Sequence, residues 1–221
     1  MPAHHRFALL FDLDGTLLDT IDLLLESMEH AFAGRPHVPT RAAWTAGIGT
    51  PLRGQLRAFD VDDDELEAVV ARYRVHQDAH LEGMTRAFPC ATEVLRWARD
   101  ARIPTAVVTS KGRGMTERSL RHVGLLDAFD TIVTADDTTR HKPDPDPVHL
   151  ALARLDVPPE RALFVGDSTH DMHAGRAAGT FTGAALWGPF AREVLAATAP
   201  THWLDSLHDV PAITEALRQA P

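Results

Sequence analysis

Phe7-Ala8-Leu9-Leu10-Phe11-Asp12-Leu13-Asp14-Gly15-Thr16-Leu17 decides how this chain is read. Five apolar residues run unbroken into two aspartates one residue apart. A continuous run of this length suits a central parallel strand covered on both faces. In open α/β sheets ligands bind beyond the carboxyl ends of such strands. Two carboxylates at that edge repel each other unless a cation or a shared proton relieves them. Asp-Gly after a strand is also an ordinary turn, so the stretch alone leaves both readings open.

Beyond Leu17 the period changes. Ile21, Leu24, Leu25, Met28 and Phe32 recur at the spacing of one helix face, and Gly34-Arg35-Pro36 ends that helix. Residues 40–60 read as two short helices broken around Gly47, Gly49 and Pro51. Asp62-Asp63-Asp64 opens a further helix, negative at its N-terminus, with Leu66, Val69, Val70 and Tyr73 on one face. No strand pattern stands between about 17 and 85, so a helical bundle is inserted after the first strand. From about residue 88 strands and helices alternate, the pattern of a parallel sheet with helices on both faces. Strands are expected at 104–109, 130–134, 162–165 and, last, about 181–186. Helices are expected over 114–123, ended by Gly124, and up to Ala178-Gly179. Asp146 is expected as an N-cap with Pro147 in the first helical position.

Composition bounds the function. The chain has 221 residues, 44% of them hydrophobic, enough for one α/β domain with a modest insertion. The net charge of −9, with no basic stripe, argues against a nucleic-acid partner. No stretch is apolar and long enough to span a membrane, and no signal-peptide pattern precedes Asp12. The single cysteine, Cys90, rules out an internal disulfide. These features lead to the expectation of a cytoplasmic chain, as monomer or homodimer. The thirteen histidines are scattered without ligand spacing, and His4-His5 reads as an exposed tail. Trp44, Trp97 and Trp203 read as packing residues. Trp187 stands either at a packed edge or near the mouth of a site.

Four separated motifs together resemble the haloacid dehalogenase superfamily of phosphohydrolases. They are Asp12-Leu13-Asp14-Gly15-Thr16, Val107-Val108-Thr109-Ser110, Lys142-Pro143-Asp144-Pro145-Asp146-Pro147 and Gly166-Asp167-Ser168-Thr169-His170-Asp171. They stand in the family's order and span residues 7–188. The resemblance implies a doubly wound, Rossmann-like core made of residues 1–16 and 86–221. It makes residues 17–85 a helical cap of the C1 kind that closes over the active site. Phe88-Pro89-Cys90 departs from the family, where Pro-Gly is common, so the turn before the next helix is open to difference. Cys90 itself reads as packed, since nothing beside it supplies an activating base.

The resemblance also implies the chemistry. Two unit charges about 4 Å apart cost roughly 4 kcal/mol at an effective dielectric of 20. A carboxylate attacking a phosphate dianion therefore needs a hard divalent cation, usually Mg²⁺. Asp12 is implied as nucleophile and metal ligand, forming an aspartyl-phosphate. The backbone carbonyl of Asp14 and the carboxylate of Asp167 complete the protein ligands. Asp171, one turn after Asp167, is expected on the same helix face, behind the metal or bridged to it by water. The Asp14 side chain is implied as general acid and base, which favours phosphoryl transfer from oxygen over dehalogenation. Thr109 is expected to donate to a phosphoryl oxygen and Lys142 to neutralise both phosphate and Asp12. Gly15 and Ser110 are expected to complete the anion cradle.

Substrate is less legible. Gly47-Ile48-Gly49-Thr50-Pro51-Leu52-Arg53 resembles the cap loop of phosphoglycolate phosphatases, which makes Thr50 and Arg53 candidates to face the leaving group. An exposed helical Arg53 reads equally well. His170, the Asp136-Asp137 pair before His141-Lys142, and Ala185-Leu186-Trp187-Gly188 are similar to pyrophosphatases of the same branch. A Mg²⁺-dependent phosphatase of a small phosphorylated metabolite is expected, with phosphoglycolate first and pyrophosphate second. A sugar-phosphate mutase shares all four motifs. A non-catalytic phosphoryl-binding module is disfavoured, because every expected catalytic side chain is present.

Overall fold

The computed structural model describes residues 6–219; His4 and His5 lie outside that range. In chain order the elements are β1 (Ala8–Phe11), β2 (Leu18–Asp19), α1 (Ile21–Phe32), α2 (Arg41–Thr45), α3 (Leu52–Ala58), α4 (Asp63–Met84) and β3 (Arg86–Ala87). There follow α5 (Ala91–Asp100), β4 (Thr105–Val108), α6 (Arg113–His122), β5 (Thr131–Val133), α7 (Asp146–Leu155), β6 (Ala162–Gly166) and α8 (Thr169–Ala178). The chain ends with β7 (Phe181–Ala185), α9 (Arg192–Ala196), β8 (His202–Leu204) and α10 (Val210–Gln219).

Six strands form one sheet in the order β5-β4-β1-β6-β7-β8, every pair parallel. The strand order reverses beside β1, which makes its carboxyl end the switch point where doubly wound sheets open a crevice. Buried Leu9 and Phe11 face one layer, with Val94 and Leu95 of α5. Ala8 and Leu10 face the other, with Val148 and Leu152 of α7. A strand buried on both faces needs apolar residues at every position, which is why β1 reads as an unbroken run.

The helical insertion has its own apolar cluster, in which α1 and α4 close around the fully buried Trp44 of α2. Phe32 meets the Trp44 ring edge-on at 6.0 Å. The two chain crossings between insertion and core are tied together by an antiparallel pair, Leu18 opposite Ala87 and Asp19 opposite Arg86.

That pair corrects the expectation of no strand between 17 and 85, since two-residue strands are too short to display a period of two. Two other expectations are also corrected. The strand at β7 is not the last, because three-residue β8 adds to the sheet edge through Ala184 opposite Trp203. Asp146 is the first helical residue of α7, with Pro145 at the cap and Pro147 second. The Asp146 carboxylate turns out to Arg140, at 2.7 and 2.8 Å, instead of capping the helix. Cys90 precedes α5 with φ of 68°, the left-handed region, and packs half-buried against the core. A cysteine thus holds a conformation in which glycine is unstrained. Trp97 and Trp203 are half-buried against apolar clusters as expected. No helix among the described residues is long and apolar enough to cross a membrane.

Candidate active site

Three strand ends and one loop deliver the motifs to one place. Asp12 follows β1, Thr109 follows β4, Asp167 follows β6, and Lys142 stands in the loop before α7. Lys142 follows no strand and precedes a cis proline bond, Lys142-Pro143, yet its ammonium is almost fully buried. It donates to Asp12 Oδ1 at 2.7 Å, to Asp171 Oδ1 at 2.6 Å and to the Val108 carbonyl at 3.2 Å.

Asp171 is held from behind. Its Oδ2 accepts from the Ser168 amide at 3.0 Å, which with the Asp171 amide donating to Ser168 Oγ at 3.2 Å makes a capping box at the start of α8, and it also accepts from the Ser168 hydroxyl at 2.6 Å. Both oxygens of Asp171 are therefore engaged, one by the helix cap and one by Lys142. This arrangement lets Asp171 hold Lys142 in position.

Asp12, Asp167 and Asp171 place carboxylate oxygens within 4.8 Å of one another, all buried. Three carboxylates against one ammonium leave two negative charges, which one divalent cation would balance. The Asp167 side chain accepts at Oδ1 from Thr16 at 2.7 Å, but its buried Oδ2 has no partner. Orphaned buried carboxylate oxygens are costly, and the backbone at Gly15 approaches this one so closely that no side chain fits there. A Cβ on Gly15 would stand 2.5 Å from Asp167 Oδ2, and Gly15 has φ of +84°. The donor set of hard oxygens, the charge and the orphaned atom all suit Mg²⁺. The Asp14 carbonyl is free of the adjoining turn, whose bonds run from Gly15 to Leu18 and from Leu17 and Leu18 to Leu13.

Electrostatics agree with the crowding. Burial, then the charge of Asp171, pushes the Asp12 carboxyl up to about 7 against the opposing pull of Lys142. Burial, with Asp171 and Asp12, raises Asp167 well above the usual carboxylate range. Burial alone would lower Lys142, but Asp12 and Asp171 outweigh it and hold the ammonium charged.

Asp14 lies beside this cluster and points to a cavity of about 1000 Å³ between sheet and insertion, lined also by Thr50, Arg53 and Thr109. Asp14 Oδ1 accepts from Thr20 at 2.7 Å and from Lys111 at 2.5 Å. The buried Thr109 hydroxyl accepts from the Lys111 amide at 3.2 Å, which leaves its own proton free to donate.

Several expected binding residues have other partners. The Gly15 amide is spent on the Leu18 carbonyl at 2.8 Å, so its contribution is close approach to Asp167 and not an anion-facing N–H. Ser110 Oγ donates to the Gly49 carbonyl at 2.6 Å, across the seam between core and insertion. The Thr50 hydroxyl donates to the Gly47 carbonyl at 2.8 Å. Arg53 is bidentate to Glu67, at 3.0 and 2.8 Å, and half-exposed. Asp137 anchors Arg113 and Arg154. Although burial opposes it, the bonds from Arg154 and Thr134, with Arg113, hold its carboxyl well below the usual range. His170 meets the Ala46 backbone, and burial lowers its pKa. Trp187 donates its indole N–H to the Thr16 carbonyl at 3.0 Å, bracing the loop after β1.

Sequence reasoning missed Lys111 and Thr20, and gave no role to Thr16 and Ser168, which stand inside the quoted motifs. Lys111 had a signal: it follows the hydroxyls of Thr109-Ser110 at the same sheet edge as Asp14.

A family model described as haloacid dehalogenase-like hydrolase matches residues 9–185. The chain belongs to that family. This haloacid dehalogenase-like hydrolase is 34% identical over 206 residues to a protein of Anoxybacillus flavithermus named pyrophosphatase PpaX, covering 93% of this chain and 95% of the relative. Among solved structures, a putative phosphoglycolate phosphatase from Lactobacillus plantarum superposes with a TM-score of 0.83 at 25% identity, over 94% of this chain and 99% of that one. A hydrolase from Pseudomonas syringae shares the fold with a TM-score of 0.87 at 22% identity, over 96% and 98%.

Proposed function

We propose that this hydrolase is a Mg²⁺-dependent phosphatase acting on a small, compact phosphoryl substrate, pyrophosphate first and phosphoglycolate second. Residues 1–16 and 86–221 serve as its catalytic core and residues 17–85 as a cap. The observation that carries the reaction class is the buried cluster in which Lys142 bridges Asp12 and Asp171 beside the orphaned Asp167 oxygen.

In this reading Asp12 attacks phosphorus and the bond from phosphorus to the leaving oxygen breaks. Asp14 gives that oxygen its proton, then takes one from the water that attacks the phosphoryl group on Asp12. Inorganic phosphate leaves and Asp12 is regenerated. Lys142 and the Thr109 hydroxyl meet the phosphoryl oxygens as charge builds on them. Mg²⁺, held by Asp12, Asp167 and the Asp14 carbonyl, would supply the positive charge that lets an anionic nucleophile approach an anionic substrate.

The order of substrates reverses the one read from the cap loop. The phosphoglycolate reading came from the resemblance of the cap loop 47–53, whose Thr50 bonds Gly47 and whose Arg53 is paired with Glu67 at the surface. Pyrophosphate gains support from the name of a relative aligned over nearly the whole chain. Phosphoglycolate keeps support from the Lactobacillus plantarum structure.

Phosphate release from a panel of phosphorylated metabolites and pyrophosphate, with Mg²⁺, tests the proposal. The highest kcat/KM is expected for pyrophosphate, and Asp12→Asn should abolish turnover while melting like the parent. Wild-type turnover by Asp12→Asn would remove the covalent step. Failure to hydrolyse either substrate would remove the substrate class.

A further inference from the structure

We infer that Lys111 reads the negative charge on the departing portion of the substrate, exchanging Asp14 for that anion when substrate enters. The inference rests on the phosphatase reading above and adds a specificity-determining residue to it.

The Lys111 side chain is only 7% exposed, and its ammonium lies 2.5 Å from Asp14 Oδ1. Its backbone is fixed on both sides, the amide bonded to Thr109 Oγ1 at 3.2 Å and the carbonyl accepting from Ala135 at 3.0 Å. The side chain can therefore change partner without the loop moving.

Position makes the exchange specific. The oxygen that departs from phosphorus must come within hydrogen-bond reach of Asp14. Negative charge two or three bonds beyond that oxygen then falls beside the ammonium already resting on Asp14. A second phosphoryl group and a carboxylate both meet this description; a phenyl ring does not. Asp14 is not stranded by the exchange, because Thr20 still donates to the same oxygen at 2.7 Å. A lysine suits the task, being a compact charge with three donors on a flexible stem.

Three other cations lining the cavity are committed elsewhere, and a fourth, Arg74 on α4, is exposed. Arg53 is bonded to Glu67 and Arg57 to Asp63, both in exposed pairs. Arg113 is bonded to Asp137. Among the described residues Lys111 is the cation in direct contact with Asp14.

The test compares pyrophosphate and phosphoglycolate with phenyl phosphate in wild type, Lys111→Met and Lys111→Arg, each in Mg²⁺ and each checked for melting temperature. Lys111→Met should cut the kcat/KM ratio of either anionic-leaving substrate to phenyl phosphate by roughly 30-fold or more, mainly through KM. Lys111→Arg should restore most of that ratio, because it keeps the charge. An unchanged ratio in Lys111→Met, with wild type preferring the anionic substrates, would overturn the role of Lys111 and leave the phosphatase reading standing. Equal losses on all three substrates would also overturn it, since a merely structural residue would act that way. Wild type showing no preference for either anionic substrate would overturn the proposed substrate class and Lys111's role with it.

Discussion

Gly49→Ala tests whether the seam between core and insertion must close for catalysis. Gly49 has φ of +102°, and a Cβ built on it would stand 2.8 Å from Ser168 Oγ and 3.3 Å from His170 Cδ2. Ser168 cannot step aside cheaply, because its hydroxyl donates to Asp171 Oδ2 at 2.6 Å and accepts from the Asp171 amide at 3.2 Å. The backbone conformation alone costs an alanine about 1–2 kcal/mol. Overpacking a fixed neighbour adds about 1–3 kcal/mol. Holding the seam closed would then cost about 2–5 kcal/mol, and the insertion can escape that cost by swinging away. Opening also breaks the bond from Ser110 to the Gly49 carbonyl. If closure assembles the site, kcat/KM for pyrophosphate should fall at least about 30-fold, since each 1.36 kcal/mol is tenfold. Melting temperature should change little, because each apolar cluster stays intact. The assay is steady-state phosphate release together with a thermal melt. Wild-type kcat/KM would refute the reasoning, as would a loss matched by a large drop in melting temperature, which would place the strain inside the fold.

Two further outcomes follow from groups already described. Asp12 sits at about 7, above its ordinary value of 3.8, so the folded state holds this proton more tightly than the unfolded chain. Its contribution to metal-free stability is full below about pH 4 and is lost as pH rises through about 7. Mg²⁺ requires the ionised carboxylate, so the rise in melting temperature that it causes should be larger at pH 8 than at pH 5.5; an equal rise at both would refute the assignment. Cys90→Gly should relieve the left-handed strain at φ of 68° and raise stability by about 0.5–1 kcal/mol. Cys90→Ala, which keeps the Cβ, should show no such gain in the same thermal melt.

How far the sequence could be read depended on how far apart the partners lie. Asp12, Asp167 and Thr109 each end a buried strand, and a parallel sheet must bring such ends together, so these positions are legible from periodicity and motif alone. Lys142 follows no strand, and only resemblance places it in the site. Its burial becomes intelligible once Asp171 is seen capping its own helix through Ser168 while turning its other oxygen inward. Arg53 and Ser110 show the limit from the other side. Both carry groups suited to an anion, but Glu67 and the Gly49 carbonyl claim them. These are pairings over 14 and 61 residues that no local pattern displays.

The same reasoning explains why Lys111 was passed over. A lysine in a loop is ordinarily a solvated charge, and its identity carries no sign of burial. Its meaning comes from Asp14, 97 residues earlier in the chain, and from the strand order that sets β4 beside β1. Motif residues around the carboxylate cluster are constrained, on the proposed reading, by the shared chemistry of phosphoryl transfer. Residues one layer out are constrained only by what leaves the phosphorus. Substrate identity is therefore to be sought in that outer layer, in Lys111 and the seam at Gly49, where the measurements proposed for each can separate a reader of charge from a support of the fold.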